Sequence, residues 1–244
     1  MHRAFAECAG GDAAFAPEPI TADDMTEWRD ALRQSGDDML VRLERGRSAL
    51  PEGVRDLADA VVAARQRLAN ATQVLAPDGV VAVKTRYHGD LHLGQVLAVQ
   101  NDFHVIDFEG EPARPLAARR LKGSPLRDVA GMIRSFEYAA TAAVRQIAET
   151  RPQALGRVSQ VADTWRQHAV DGFRAAYRKE MRGCAAYPVN KLHAKGLIDF
   201  FTLEKAIYEV TYELANRPDW VGIPLNGILR ILAKTKDIGD AAPA

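Results

Sequence analysis

The sequence predicts a mostly helical α+β fold with one small β-hairpin sheet near its middle, and three observations carry that prediction. Apolar residues recur at three- and four-residue spacing on both sides of residues 80–108, as amphipathic helices require. Inside that window β-branched residues crowd together, and two short apolar runs are separated by polar turn residues. No stretch of the sequence approaches the apolar length of a membrane-spanning helix.

The elements follow in order. Pro17-Glu18-Pro19 punctuates the chain, and Thr21 with Asp24 caps a helix that carries Trp28 and Leu32. Pro51 opens a second helical pattern, with Val54, Leu57, Ala58, Val61, Val62, Arg65 and Leu68 at helical spacing, which Pro77-Asp78-Gly79 ends. Val80 to Tyr87 reads as a strand and His88 to Gly94 as a loop. Gln95–Val99 and Phe103–Phe108, joined by Gln100-Asn101-Asp102, read as a hairpin. From Leu126 the chain is helical again, with breaks expected near Pro152, Pro188, Pro218 and Pro224. This divides the chain into a helical subdomain over 1–79 and a loop-bearing helical region over 80–244.

Composition narrows the function class. Lys plus Arg total 32 and Asp plus Glu total 32, so no net field favours nucleic acid or an anionic membrane. The two cysteines, Cys8 and Cys184, lie far apart and in no metal-type spacing, which suits free thiols in a reducing cytoplasm. The N-terminus carries His2, Arg3 and Glu7 and no apolar run of signal length. A cytoplasmic protein is the expectation.

The chemistry concentrates in the loop and hairpin. Phosphoryl transfer needs a carboxylate to orient the attacking hydroxyl and hard oxygen ligands for a magnesium ion on the phosphates. A hairpin after Gln95 reverses the chain, which is expected to return Asp107 close to Asp90 and Gln95. Taken singly, either aspartate also reads as a turn or cap carboxylate. Both in this order, with a hairpin between, read as a site. His88 and His92 lack a third partner for zinc and are expected to hold the loop by hydrogen bonds.

His88-Gly89-Asp90-Leu91-His92-Leu93-Gly94-Gln95 and Ile106-Asp107-Phe108-Glu109-Gly110-Glu111-Pro112 resemble the catalytic loop and second metal motif of maltokinases. Those enzymes belong to the protein-kinase-like (aminoglycoside phosphotransferase-like) fold. The resemblance implies the C-lobe of that fold, use of ATP and Mg2+, Asp90 as catalytic base, and Gln95 with Asp107 as metal ligands. Glu109 would be a further ligand or face the sugar. Most relatives carry Asn at the position of Gln95, and Gln is similar to the maltokinase branch. Ser124-Pro125-Leu126-Arg127-Asp128-Val129 is also similar to that family and implies that Asp128 braces the loop, beside the plainer reading of a surface Arg-Asp pair.

A second constellation lies between Leu203 and Trp220. Leu203, Ile207, Val210 and Leu214 form one helical stripe, with Lys205, Glu209, Tyr212 and Glu213 nearly opposite. An ordinary helix with a solvated, salt-bridged face fits that pattern. Yet Tyr212 among the charges and Trp220 beyond the helix end also suit a sugar site. The stretch resembles the sugar-binding end of maltokinases, implying Lys205, Glu209, Tyr212, Glu213 and Trp220 as substrate contacts. Glucosamine kinases are similar too but usually place Gln where Lys205 stands. The implied reaction is phosphorylation of maltose to maltose 1-phosphate. Glucosamine or an aminoglycoside is the alternative acceptor, and a non-catalytic sugar-binding module, or a partner of a trehalose-converting enzyme, is the alternative role. No glycine-rich phosphate loop precedes Asp90, since Cys8-Ala9-Gly10-Gly11 lacks the spacing, and Lys84 lies too close to the loop for an ATP-binding lysine. The ATP-binding lobe and a cap domain are therefore expected to lie outside these residues, and an apolar lobe surface is expected to promote self-association.

Overall fold

A computed structural model describes residues 1–8, 12–112 and 114–239, so the Ala9-Gly10-Gly11 stretch lies outside the described residues. Its main elements are α1 (His2–Ala6), β1 (Glu18–Pro19), α2 (Ala22–Gly46), α3 (Glu52–Ala63), α4 (Arg65–Val74), β2 (Val83–Lys84), β3 (Val96–Val99), β4 (Asp102–Val105), α5 (Leu116–Arg119), α6 (Leu126–Thr150), α7 (Leu155–Glu180), α8 (Lys191–Asn216) and α9 (Gly222–Gly239). They form two compact units. One comprises Met1–Pro19 with Ala82–Tyr187, the other Ile20–Val81 with Pro188–Ala244.

The loop-bearing unit is built on α6 and α7, which pack against each other. The first half of α6 is buried through Leu126, Val129, Ala130 and Ile133, and Phe136 meets Trp165 and Phe173 of α7 edge-on. A smaller cluster, Met181, Cys184 and Ala186, packs with Ala6, Val83, Tyr177 and Tyr187. The expected hairpin forms with different bounds: Val96 lies opposite Val105 and Val99 opposite Asp102, so Asp102, expected in the turn, opens β4, which ends at Val105 rather than Phe108. Gln100 and Asn101 both adopt positive φ, 47° and 67°, which is the type I′ turn whose twist matches the strands.

The strand expected over 80–87 shrinks to two residues, Val83 and Lys84, paired with Pro19 and Glu18. The segment distributes its hydrogen bonds among different segments: the Val83 N–H goes to Ala185 and the Thr85 N–H to Gly123. No single neighbour runs alongside it, so extended backbone does not become a ladder.

The other unit is centred on α8, with α2, α4 and α9 packed on it. Leu197, Phe200, Phe201, Leu203, Ala206, Ile207 and Val210 are all buried, and Trp28 of α2 meets Phe201 edge-on at 5.4 Å. The capping box at α2 is present, with the Asp24 N–H on the Thr21 side chain and the Thr21 N–H on the Asp24 carboxylate. The helix expected to run from Pro51 past Leu68 breaks at Ala64 (φ −87°, ψ 10°), and Leu68 then seats against Gly36 of α2. Pro224 does not interrupt the chain. It is the third residue of α9, in the first turn, where a missing N–H leaves no hydrogen bond unmade. Among the described residues no helix is long and apolar enough to cross a membrane.

Candidate active site

The loop around Asp90 is held from α6. Residues three and four apart on a helix share a face, and Asp128, Gly131 and Ser135 form such a row. The Asp128 carboxylate accepts the backbone N–H of His88 at Oδ2 (2.7 Å) and that of Gly89 at Oδ1 (2.9 Å). At Gly131 the carbonyl oxygen of Leu91 comes so close that a Cβ there would stand 2.5 Å from it. The Leu93 N–H reaches Ser135 Oγ at 3.2 Å. Three contacts from one helix face thus fix a loop that forms almost no ladder of its own. Asp128 is buried at 2% exposure, which removes the surface-pair reading.

His88 ties the loop to the hairpin. Its Nδ1 accepts the Asp90 N–H at 3.3 Å, so the proton sits on Nε2, which donates to the Ile106 carbonyl at 2.8 Å. Gly89 takes φ +86°, and a Cβ there would lie 3.1 Å from Gly110 Cα, so the two motifs meet backbone to backbone. The side chain of Asp90 is one-fifth exposed, with His92 Nε2 at 4.0 Å from its carboxylate. His92 itself accepts the Gly94 N–H through Nδ1.

The hairpin closes the cluster. The Ile106 N–H donates to the Gln95 carbonyl at 3.0 Å, extending the ladder by one step, and Gln95 Nε2 donates to Asp107 Oδ2 at 2.8 Å. Asp107 holds φ +66°, a conformation non-glycine residues adopt rarely and often at functional positions. Glu109 is exposed and lies 3.6 Å from the Arg119 guanidinium. Among the described residues no three His, Cys, Asp or Glu side chains group as a metal cage. The Gln95–Asp107 pair nevertheless offers hard oxygens, the amide oxygen and the carboxylate, which suits an ion that also draws ligands from phosphates and water.

The second constellation lies in the α8 unit. Glu209 and Glu213 are buried at 8% and 1% exposure, so the solvated-face reading of the helix fails for both, while Tyr212 is exposed. With Asp199, also buried, they fall within an arc of roughly 80° at 100° per residue. Arg217 grips the Glu213 carboxylate with two hydrogen bonds, at 2.6 and 2.9 Å. Its guanidinium lies over the rings of Tyr212 (5.6 Å) and Trp220 (5.3 Å). Lys205 Nζ lies 5.0 Å over the Tyr208 ring.

Sequence reasoning missed several of these groups. Asp128 and Glu213 were named, but their row-mates Gly131 and Ser135, and the partner Arg217, were not, although i, i+3, i+7 and i, i+4 spacing left them open to view. His2 was not: it joins Asp128 across 126 positions and Tyr177 across 175.

No family model matches the chain. It is 31% identical over 214 residues to a glucosamine kinase of Mycolicibacterium smegmatis, covering 86% of this chain and 47% of that protein. A glucosamine kinase of Streptacidiphilus jiangxiensis is 24% identical over 212 residues, 87% of this chain and 44% of that protein. The relatives are glucosamine kinases. A solved glucosamine kinase in complex with glucosamine, ADP and inorganic phosphate matches with a TM-score of 0.72 at 23% identity, covering 98% of this chain and 53% of that one. The chain therefore shares the mostly helical α+β fold of the matched part, and it spans about half the length of these relatives.

This corrects the resemblance to maltokinases. The preference for maltose rested on Gln95 and on Lys205 standing in place of Gln, two positions outweighed by similarity over 214 residues to a glucosamine kinase. Maltose as acceptor and the trehalose-converting partner depended on that resemblance and fall with it.

Proposed function

We propose that the chain carries the catalytic loop and acceptor-binding part of an ATP-dependent amino-sugar kinase, with glucosamine as the acceptor. The observation that carries this reading is the hairpin bringing the side chain of Asp107 to 2.8 Å from that of Gln95, which lies five residues after Asp90. Similarity to glucosamine kinases supports the choice of acceptor.

Asp90 accepts the proton of the sugar hydroxyl and aligns its oxygen on the terminal phosphorus of ATP. The new oxygen–phosphorus bond forms as the bond to the bridging oxygen breaks, and ADP leaves with that electron pair. Gln95 and Asp107 would hold Mg2+, which when bound neutralises phosphate charge. The Asp128 row on α6 keeps the Asp90 backbone in place, so little reorganisation accompanies the reaction. On α8, the buried carboxylates Asp199, Glu209 and Glu213 suit an ammonium group, since carboxylates of low exposure attract a cation more strongly than solvated ones. Tyr212 and Trp220 offer rings for a sugar face, with Lys205 as a further polar group on α8, and Glu109 remains a polar group beside the Asp107 motif in its own unit.

The test is calorimetric titration of the chain with glucosamine and with maltose, followed by glucosamine-dependent ADP release with Mg2+, beside Asp90→Asn. Preferential glucosamine binding that survives in Asp90→Asn, with ADP release reduced at least about a hundredfold, is expected. Preferential maltose binding, or turnover unchanged in Asp90→Asn, would overturn the reading.

A further inference from the structure

We propose that His2 is a positioning residue for the catalytic loop, acting through Asp128. The inference rests on the reading of Asp90 as the base, and it begins with the demands on one buried carboxylate. Asp128 Oδ1 accepts the Gly89 N–H, while Oδ2 accepts both the His88 N–H (2.7 Å) and His2 Nε2 (2.8 Å). The side chains of His2 and Asp128 are 5% and 1% exposed, so water does not substitute for either.

The proton positions follow from the partners. Facing a carboxylate, His2 Nε2 carries the hydrogen and donates. His2 Nδ1 then accepts from the Tyr177 hydroxyl, 2.9 Å away. Burial, and after it the negative charge of Asp128, raises the Tyr177 pKa and keeps the phenol a donor. The result is a directed chain: Tyr177 O–H to His2, His2 N–H to Asp128, and the same carboxylate to the loop backbone. The His2 and Tyr177 rings meet edge-on at 5.6 Å, which fixes the imidazole plane as well.

The network ends where chemistry is proposed to start. Asp128 holds the N–H groups of residues 88 and 89, and the N–H of Asp90 rests on His88 Nδ1. A carboxylate bonded only to the loop could turn with it. A third bond from His2, anchored by Tyr177 on α7, sets the carboxylate independently of the loop. A displacement of about 1 Å at a catalytic group costs up to about a hundredfold in rate. His2 therefore acts on Asp90 without touching substrate.

His2→Leu and His2→Gln separate this role from plain stability. Gln presents an amide N–H to Asp128 and an amide oxygen to Tyr177, reproducing both contacts of the imidazole, whereas Leu offers neither. Amide hydrogen exchange followed by NMR reads the loop without requiring turnover. In His2→Leu, protection at His88 and Gly89 should fall at least about tenfold, while Phe200 and Leu203 of α8 keep theirs. The kcat should fall about tenfold to a hundredfold with the glucosamine KM within about twofold. His2→Gln should restore both. Unchanged exchange at residues 88 and 89, an equal loss at every amide, or no rescue by Gln would overturn the proposal. Should His2→Leu fail to fold, His2→Asn, whose shorter amide reaches one partner, should show the same changes more weakly, and wild-type behaviour there would overturn it. Loss of protection at residues 88 and 89 in a protein with no glucosamine turnover would support the positioning role and count against the kinase reading.

Discussion

The two units place their polar groups by opposite means. Around Asp90, polar side chains position backbone: the buried Asp128 and His88 and the half-buried Ser135 each bond a main-chain group of the loop or hairpin. On α8, apolar packing positions polar side chains. Leu203, Ile207 and Val210 anchor the helix, and Glu209 and Glu213 are buried because the helix is. The difference teaches where precision comes from. A loop has no ladder to hold it, so directional bonds must supply the geometry, while a helix brings its own and needs only a core to press on.

The sharpest way to break that contrast is Asp128→Ala. It leaves the N–H groups of His88 and Gly89, and the His2 imidazole, without their acceptor in a buried place. Each unmet buried donor costs on the order of 1–3 kcal/mol, so the unfolding free energy should drop by about 3 kcal/mol in urea titrations. The comparable change on α8, Glu213→Gln, keeps a hydrogen-bonding group for Arg217, whose side chain is 48% exposed, and should cost about 1 kcal/mol. A smaller loss for Asp128→Ala than for Glu213→Gln would sink the contrast.

Local signals in the sequence were legible wherever the chemistry was local. Thr21 and Asp24 gave the cap, Gln100-Asn101-Asp102 gave the turn to within one residue, and the turn gave the approach of Gln95 and Asp107. What stayed hidden depended on distant partners. Val80 to Tyr87 has strand composition, but Glu18–Pro19, Gly123 and Ala185 each take only one or two of its residues. Which helices share a unit is likewise a matter of packing: α2 joins α8 from the far side of the chain. His2 carried no sequence signal, because its partners Asp128 and Tyr177 lie 126 and 175 positions away and only the fold brings them together. The preference for maltose lost its support for a different reason: it leaned on Lys205, which lies 5.0 Å over the Tyr208 ring, a contact that says nothing about which sugar binds.

Two glycines sharpen the comparison at intermediate size. Both units press a backbone carbonyl onto a helix: a Cβ at Gly131 would stand 2.5 Å from the Leu91 oxygen, and one at Gly196 would stand 2.7 Å from the Leu75 oxygen. Ala gains about 1 kcal/mol in helix propensity over Gly, but a contact that short with backbone costs about 1–3 kcal/mol. Gly131→Ala and Gly196→Ala should each lower stability by up to about 2 kcal/mol, read by thermal melting. Gly156→Ala in α7, with nothing within 4 Å, should instead gain up to about 1 kcal/mol. Turnover is the discriminating measurement, since only Gly131→Ala presses on the loop at Leu91, the residue after Asp90. Equal loss of kcat in the Gly131 and Gly196 variants would mean the loop is no more sensitive than the α8 unit.

The smallest effect tests how far the polar network reaches. Tyr177 donates to His2, and its phenol pKa is raised, first by burial and then by Asp128. Below the ordinary phenol pKa of about 10 the group is neutral in both folded and unfolded chains, so its contribution is intact. Above that pH the unfolded chain ionises while the folded chain does not, so stability falls as pH rises, by up to about 1.4 kcal/mol per pH unit for one group. Tyr177→Phe removes one hydrogen bond, worth about 1 kcal/mol near neutral pH, and should also remove this alkaline slope. Urea titrations of both proteins at about pH 8 and pH 11 should therefore converge at the higher value. If the gap between them is the same at both, the phenol ionises in the folded protein as easily as in the unfolded one. The hydrogen-bonded chain would then end at His2, and loop positioning would rest on the imidazole alone.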